Sequence, residues 1–264
     1  MIATAMSTLN TRSRKKNPAE ATGVEAGEGL SVCGVGSSVW LVIPAYNEED
    51  VIEQTLLRLP IGIFAQVVVA DNGSSDETAN RARLAGARVN SIAEKGYGAA
   101  CLAVLAEAPD DVILVYLQAD GSEDAAETTM LIEPILKGEA DLVIGSRVLG
   151  VASRGALRAH QRFGNWVATR LLNLIWGQTA TDLGPFRAIR AGVLRQLGMR
   201  DRNYGWTIEM QVRAAQCGLR VVEVPVRYGL RLAGEDKVSG NWLGSIKAGA
   251  KILWVIARSV VSPD

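Results

Sequence analysis

The chain contains no apolar run long enough to cross a bilayer. Its strongest stretches, Leu171–Trp176 and Ile252–Ala257, fall well short of the ~20 residues that a spanning helix needs. It also lacks net charge, with 28 Lys and Arg against 28 Asp and Glu. No whole-molecule field therefore draws it to nucleic acid, which is not an expected partner, and any grip on phosphate must be local. Cysteine is scarce: Cys33, Cys101 and Cys217 form neither an even disulfide set nor the paired short spacing of a zinc site. They are expected to be small buried hydrophobes in a reducing compartment. The single histidine, His160, sits between Arg158 and Arg162 and reads as a surface or acceptor-side residue rather than a catalyst. Near the N-terminus, Arg12, Arg14, Lys15 and Lys16 are followed by Asn17, Pro18 and an Ala/Gly/Glu mixture rather than by the apolar core of a secretory signal. Residues 1–37 show no periodicity and are expected to be a disordered extension. The expected location is cytoplasmic, peripheral on the inner face of the cell membrane.

What the chain does have is length and apolar content. With 264 residues, 48% of them apolar, it can bury one large core, placed here at residues 38–264. From Val39 onward, short β-branched runs alternate with helical patterns, which predicts an α/β fold built on a mostly parallel sheet flanked by helices. The expected strands are Val39–Pro44, Gln66–Ala70, Arg88–Ile92, Val112–Leu117 and Ala140–Ile144. Helices are expected at Glu49–Leu59, Glu77–Ala85, Gly98–Ala108 and Asp124–Leu136. The second half is less regular. It has helical patterns near Phe163–Trp176, Val193–Leu197 and Thr207–Gln216, a short segment Phe186–Ile189, a strand Arg220–Val226 and a final helix Trp242–Val261. That last element sets Trp242, Ile246, Leu253, Trp254, Ile256 and Val260 broadly on one side and Lys247, Lys251 and Arg258 on another, an amphipathic pattern suited to sheet packing or to a lipid interface.

In an open parallel sheet, ligands collect at the carboxyl ends of the strands. The unusual residues fall there: Pro44-Ala45-Tyr46-Asn47-Glu48-Glu49, Asp71-Asn72-Gly73-Ser74-Ser75-Asp76, Gln118-Ala119-Asp120-Gly121-Ser122 and Gly145-Ser146-Arg147. Each alone is explained by turn and cap chemistry. Four in succession, combining carboxylates, an aromatic ring and a cation, suit a base, a ribose, a diphosphate and a metal.

These segments, with Gly96-Tyr97-Gly98-Ala99-Ala100, Asp141-Leu142-Val143-Ile144, Thr181-Asp182-Leu183-Gly184-Pro185-Phe186-Arg187 and Glu223-Val224-Pro225-Val226, resemble the family 2 glycosyltransferases of GT-A fold. The resemblance is to the branch like dolichyl-phosphate mannose and glucose synthases, and it runs from about Val39 to about Ile256. It implies that Pro44, Ala45, Tyr46 and Glu48 lie against the nucleotide, with Asp71 and Asn72 reading the base edge. It also implies that Lys95 and Gly96 approach the sugar nucleotide, where a residue without a side chain allows close contact. The family's metal motif, Asp-x-Asp, reads Gln118-Ala119-Asp120 here. Asp120 keeps the position expected to hold Mg²⁺ or Mn²⁺ against the diphosphate, and such ions often take only one or two carboxylates beside phosphate and water. Gln118 offers an amide oxygen without charge, so either metal affinity falls or the nucleotide supplies more of the binding.

A departing nucleoside diphosphate needs its growing charge neutralised; the candidates are Arg147, Arg231 and Lys237. The segment Arg231–Gly240 is similar to the family's Arg-x-x-Gly-x-Ser-Lys loop, with Asp236 in the serine position. A hydroxyl acceptor would also need a general base, for which Asp182 is the first candidate and Glu209 the second, whereas a phosphate acceptor is already nucleophilic and needs none. The resemblance thus implies inverting transfer of a hexose from a UDP- or GDP-sugar to a lipid-linked acceptor such as polyprenyl phosphate, with divalent metal and against a membrane surface. Alternatives are a catalytically silent nucleotide-sugar-binding protein, on account of Gln118, and transfer to a soluble hydroxyl acceptor. A nucleotidyl transferase would need a Gly-rich, cation-bearing loop after the first strand, and none is evident.

Overall fold

The computed structural model describes residues 38–233 and 242–261. The expected extension, residues 1–37, and the cation candidate Lys237 lie outside the described residues, as do the side chains of Trp242 and Ile246. The strands are β1 (Val39–Ala45), β2 (Gln66–Asp71), β3 (Arg88–Ser91), β4 (Ile113–Tyr116), β5 (Leu142–Ala152), β6 (Arg187–Arg190) and β7 (Val221–Tyr228). The helices are α1 (Ile52–Leu57), α2 (Thr78–Leu84), α3 (Tyr97–Glu107), α4 (Thr128–Leu136), α5 (Ala159–Trp176), α6 (Ala191–Gln196), α7 (Trp206–Gln216) and α8 (Trp242–Val261). One seven-stranded sheet results, in the order β3-β2-β1-β4-β6-β5-β7.

β1 pairs in parallel with β2 on one side and β4 on the other, so the three carboxyl ends emerge at one edge. Strand alternation then sorts the core into two layers. Leu41, Ile43, Ile113 and Val115 face the layer closed by α1 and α4, through Ile52, Leu56, Leu131 and Ile135. Val42, Leu114 and Tyr116 face the layer closed by α3, α6 and α7, through Val104, Leu194, Trp206 and Met210. A third, smaller cluster fastens α8 to α5 and α7 through Val255, Ile256, Leu172 and Ile208.

The structure departs from the sequence reading at several boundaries. The segment Phe186–Ile189 becomes a strand, and it runs antiparallel to both β4 and β5. β5 does not stop at Ile144 but continues to Ala152, so Gly145-Ser146-Arg147 is a strand interior rather than a loop. The extension survives because β7 follows it to Tyr228 through a register shift between Ser146 and Val151. Gly150 sits there against the Val226 backbone with no room for a Cβ. α1 is shorter than expected, α5 begins four residues earlier than Phe163, and Asp124 caps a short 3-10 turn, Ala125–Glu127, before α4 starts. The expected single apolar side of α8 divides: Ile252, Val255 and Ile256, at helical spacing, pack inward, while Leu253, Trp254 and Val260 face out.

Trp206 is the largest fully buried side chain and meets Tyr116 edge-on at a centroid distance of 6.4 Å. Trp206→Ala is expected to lower the unfolding free energy by about 3–5 kcal/mol, as large cavities in close-packed cores do. Urea titration followed by circular dichroism measures it; a loss below about 1 kcal/mol would mean that this layer tolerates collapse.

Candidate functional site

The site begins where β1 and β2 end side by side. Asn47 takes a left-handed backbone conformation, φ 52°, which turns the chain back toward the second strand end. Its N–H donates to Ser74 Oγ at 2.9 Å, and its side-chain oxygen accepts from the Ser75 N–H at 2.8 Å. The Glu48 N–H donates to Thr78 Oγ1 at 2.7 Å, so the two loops are stitched into one wall. Asp71 and Asn72 are buried at the end of β2. Asn72 accepts from the Gly96 N–H at 2.5 Å and donates to the Glu94 carbonyl at 2.9 Å. Tyr46 keeps a partly exposed ring, with the Lys95 ammonium 5.2 Å from its centroid. Tyr46, Asp71, Asn72, Lys95 and Gly96 are therefore brought together. One expectation changes its reason: Gly96 is demanded by the Arg202 carbonyl and Asn203, which leave no space for a Cβ at its φ of 143°.

Pro44, Glu48, Gln118, Ala119, Asp120, Arg147, Asp182 and Arg231 line a single cleft of about 1670 Å³. Its centre is the loop after β4. Ser122 donates to Asp120 Oδ1 from its backbone N–H at 3.0 Å and from its hydroxyl at 2.6 Å. Asp120 Oδ2 accepts from Arg231 Nη1 at 3.0 Å, while Nη2 of the same guanidinium donates to both Glu48 oxygens at 3.0 and 2.9 Å. Gly121, at φ 68°, lets the segment after β7 lie across this loop, with Leu232 against it and the Leu232 N–H on the Asp120 carbonyl at 3.0 Å. The Gln118 amide oxygen accepts from the Tyr228 hydroxyl at 3.2 Å and lies 3.3 Å from the Ser122 hydroxyl, whose hydrogen goes to the shorter Asp120 contact.

Two residues here escaped the sequence reading. Tyr228 both holds Gln118 and lies under Arg147, whose guanidinium carbon is 5.1 Å from its ring centre. Glu123, one residue before the expected helix Asp124–Leu136, is buried. One of its oxygens accepts from the Gln118 N–H at 2.8 Å and the other has no hydrogen-bond partner among the described residues. Burial pushes its carboxyl up to about 8, the Gln118 hydrogen bond opposes this, and the Asp120 charge adds to it.

Both general-base candidates are engaged by neighbouring groups. Asp182 is fully buried, and both its oxygens are taken by Arg147: the backbone N–H and Nε reach Oδ2 at 2.8 Å each, and Nη2 reaches Oδ1 at 2.7 Å. Burial opposes the Arg147 charge, but the Asp182 carboxylate outweighs it and raises the guanidinium above its ordinary range. In this pair the carboxylate holds the guanidinium in place with both of its oxygens. Glu209 does not line the cleft. It accepts from the N–H groups of Arg200 and Asp201 and from Arg213 Nε, with Asp201 nearest at 2.7 Å, and so fixes the turn before α7. The three carboxylates that do line the cleft, Glu48, Asp120 and Asp182, are each paired with arginine.

Beyond Asp182 the wall is α5 with the residues leading into it, and part of α8. From Arg147 to Thr181 the sequence holds five arginines and no acidic residue, and α8 has Lys247, Lys251 and Arg258, again with no acid. Phe163 and Trp166 stack at 6.1 Å and remain more than half exposed, and Trp254 is about half exposed beneath Lys251 and Arg258. Among the described residues, no helix is long and apolar enough to cross a membrane.

Residues 40–198 match the model of glycosyl transferase family 2. The chain belongs to that family. It is 39% identical over 217 residues to an uncharacterized glycosyltransferase of Mycobacterium tuberculosis, covering 81% of this chain and 95% of the relative. It is 32% identical to an undecaprenyl-phosphate mannosyltransferase of Micrococcus luteus, covering 78% of this chain and 89% of the relative. In three dimensions it is similar to glucosyl-3-phosphoglycerate synthase of M. tuberculosis, crystallised with Mn²⁺, UDP-glucose and phosphoglyceric acid. The TM-score is 0.66 at 24% identity, over 84% of this chain and 80% of that one. The fold is GT-A, and the chain is a glycosyltransferase.

Removing Arg147 would leave Asp182 charged and dry. Arg147→Ala is expected to cost about 3–5 kcal/mol of stability, and Arg147→Met combined with Asp182→Leu to recover most of it, because the pair is expensive mainly when half of it is missing. Denaturant midpoints of both variants test this; equal losses would show that the contact holds more than a charge pair.

Proposed function

We propose that this glycosyltransferase moves a hexose from a UDP- or GDP-sugar to a phosphate-bearing, lipid-linked acceptor such as polyprenyl phosphate. One observation carries the reading: every carboxylate lining the cleft is held by an arginine, while the acceptor-side wall has arginines and no acid. A hydroxyl acceptor needs a general base; with the cleft's carboxylates committed to arginine, His160 is the one imidazole among the lining residues, and it stands between Arg158 and Arg162 in an acid-free stretch. A phosphate monoester is already an anionic nucleophile and needs only a cationic berth. Arg147 is held with its guanidinium across Asp182 and Tyr228, and Arg154, Arg158 and Arg162 line the same cleft. The exposed aromatic pair on α5 lines that cleft, Trp254 is half exposed on α8 beside the lining residue Leu253, and such rings suit the headgroup level of a bilayer. The similarity to the Micrococcus luteus enzyme supports a polyprenyl phosphate, and the acid-free surface supports peripheral contact with the inner face of the membrane.

On the donor side, Tyr46, Asp71 and Asn72 would take the base, with Pro44, Glu48 and Lys95 around the ribose and phosphates. The hollow fits a divalent cation because two carboxylates, Glu48 and Asp120, already converge on one positive group. No cluster of three His, Cys, Asp or Glu side chains is present among the described residues, so phosphate oxygens and water would complete such a site. Asp120 would hold Mg²⁺ or Mn²⁺ directly, with the Gln118 amide oxygen beside it. When bound, the ion would neutralise charge on the departing diphosphate. Arg231 would contribute to the same neutralisation, and its Glu48 contact keeps it within reach of that position.

Incubation with labelled UDP-glucose or GDP-mannose, polyprenyl phosphate and Mn²⁺ is expected to give organic-extractable label, and Asp120→Ala to reduce it by at least about 100-fold, the scale of losing a transition-state charge contact. Label passing only to phosphoglycerate or another soluble acceptor would replace the lipid reading. On the membrane side, Trp166→Glu with Trp254→Glu is expected to release the protein from vesicles containing anionic lipid; unchanged co-sedimentation would discard the peripheral assignment.

A further inference from the structure

Two carboxylates that both face a nucleotide-sugar site repel one another when nothing lies between them. Here something does. The Arg231 guanidinium reaches Asp120 Oδ2 with one nitrogen at 3.0 Å and the Glu48 carboxylate with the other at 2.9 Å. The three side chains are largely shielded from water, with exposures of 24% for Arg231, 11% for Glu48 and 5% for Asp120. Shielding strengthens the attraction well beyond that of a surface pair. The arginine is also held from behind. The Leu232 N–H is bound to the Asp120 carbonyl and the Gly229 N–H to the Ser122 carbonyl, and Leu232 rests on Gly121, where a Cβ would collide with it. The backbone on both sides of Arg231 is thus tied to the loop carrying Asp120, so the guanidinium can turn without its loop leaving.

The oxygen that Arg231 occupies is the free oxygen of Asp120. Its other oxygen already accepts from the Ser122 N–H and hydroxyl. Gln118, where a second acid would have supplied charge, is neutral and has its amide oxygen engaged by the Tyr228 hydroxyl. With a single anionic ligand at the metal position, one fixed positive group is enough to compete with an incoming ion.

We propose that Arg231 is the resident cation of the unliganded donor site: it neutralises Glu48 and Asp120, keeps divalent metal off Asp120 until a diphosphate arrives, and then transfers its contact to the phosphates. This rests on the donor-site reading above and extends it to the order of binding. Metal alone has to displace a guanidinium already paired with two carboxylates. Metal with a nucleoside diphosphate offers that guanidinium new oxygen partners, so exchange becomes favourable. Cation and nucleotide consequently bind with positive coupling, each strengthening the other by the same factor.

The experiment titrates Mn²⁺ alone into the full chain, reading the free-ion signal by electron paramagnetic resonance, and repeats the titration with saturating UDP. Arg231→Gln removes the charge and is expected to tighten Mn²⁺ binding in the absence of UDP by about tenfold, the effect of removing one competing ionic contact. Arg231→Lys keeps the charge but cannot fork across both carboxylates, so a smaller gain of roughly threefold is expected. With UDP present, the advantage of Arg231→Gln should vanish or reverse, because the variant has lost a phosphate partner. Circular dichroism and thermal unfolding establish that each variant is folded, and the Lys variant carries the test if the Gln variant is not. Unchanged or weaker Mn²⁺ binding by the folded variants without UDP, alongside tight binding with UDP, overturns the placeholder and leaves the donor site standing. Absence of Mn²⁺ binding with and without UDP overturns both.

Discussion

A carboxylate removed from water has to be met by positive charge or by hydrogen-bond donors, and this requirement organises the cleft. Three acids line it, and two arginines answer all three: Arg231 spans Glu48 and Asp120, and Arg147 clasps Asp182. The pairings fix more than charge. Through Arg231, the loop after β1 is joined to the loop after β4, although the two carboxylates lie far apart in the chain. Through Arg147, the middle of β5 is joined to the loop before β6. The sheet brings strand ends to one edge, and these ion pairs turn that edge into a shaped hollow.

The first half of the chain was readable because its signals are local. Continuous apolar strands, helical patterns and Gly/Asp/Ser loops follow one another from Val39 to Ile144, and up to that point the observed strands fall within a residue or two of their expected places. The expectation failed where partners distant in sequence decide the outcome. β5 extends past Gly145 because β7, some 80 residues later, offers it a ladder; nothing in the text of Gly145-Ser146-Arg147 records this. β6 is four residues long, and its antiparallel setting follows from the slot between β4 and β5 rather than from its own composition.

The site shows the same division. Tyr46, Asp71, Asn72, Asp120, Arg147 and Arg231 were legible as types of residue; the fold gathers Asp120, Arg147 and Arg231 in the cleft and sets Tyr46, Asp71 and Asn72 at the ends of β1 and β2, outside the cleft's lining. Their roles were not legible, because a role depends on which atoms remain free. Asp182 carries the loop chemistry of a base, but Arg147 consumes both its oxygens. Glu209 is spent on the turn before α7. Glu123 and Tyr228 gave no signal, since a buried acid and a strand tyrosine look ordinary until their neighbours are known.

Among the described residues, β6 is the one strand that runs against its neighbours, and its reversed direction decides what sits in front of it. A parallel strand there would deliver its outgoing chain to the working edge; β6 delivers its incoming chain, the loop bearing Asp182, and sends its outgoing end to the opposite side. A loop from late in the chain, fastened by its Asp182–Arg147 pair, thus comes to the same edge as the ends of β1, β2 and β4, and the segment after β7 joins it there through Arg231. One reversed strand is enough to make residues distant in sequence share a hollow, so an alteration of β6 far from that hollow would still be felt inside it.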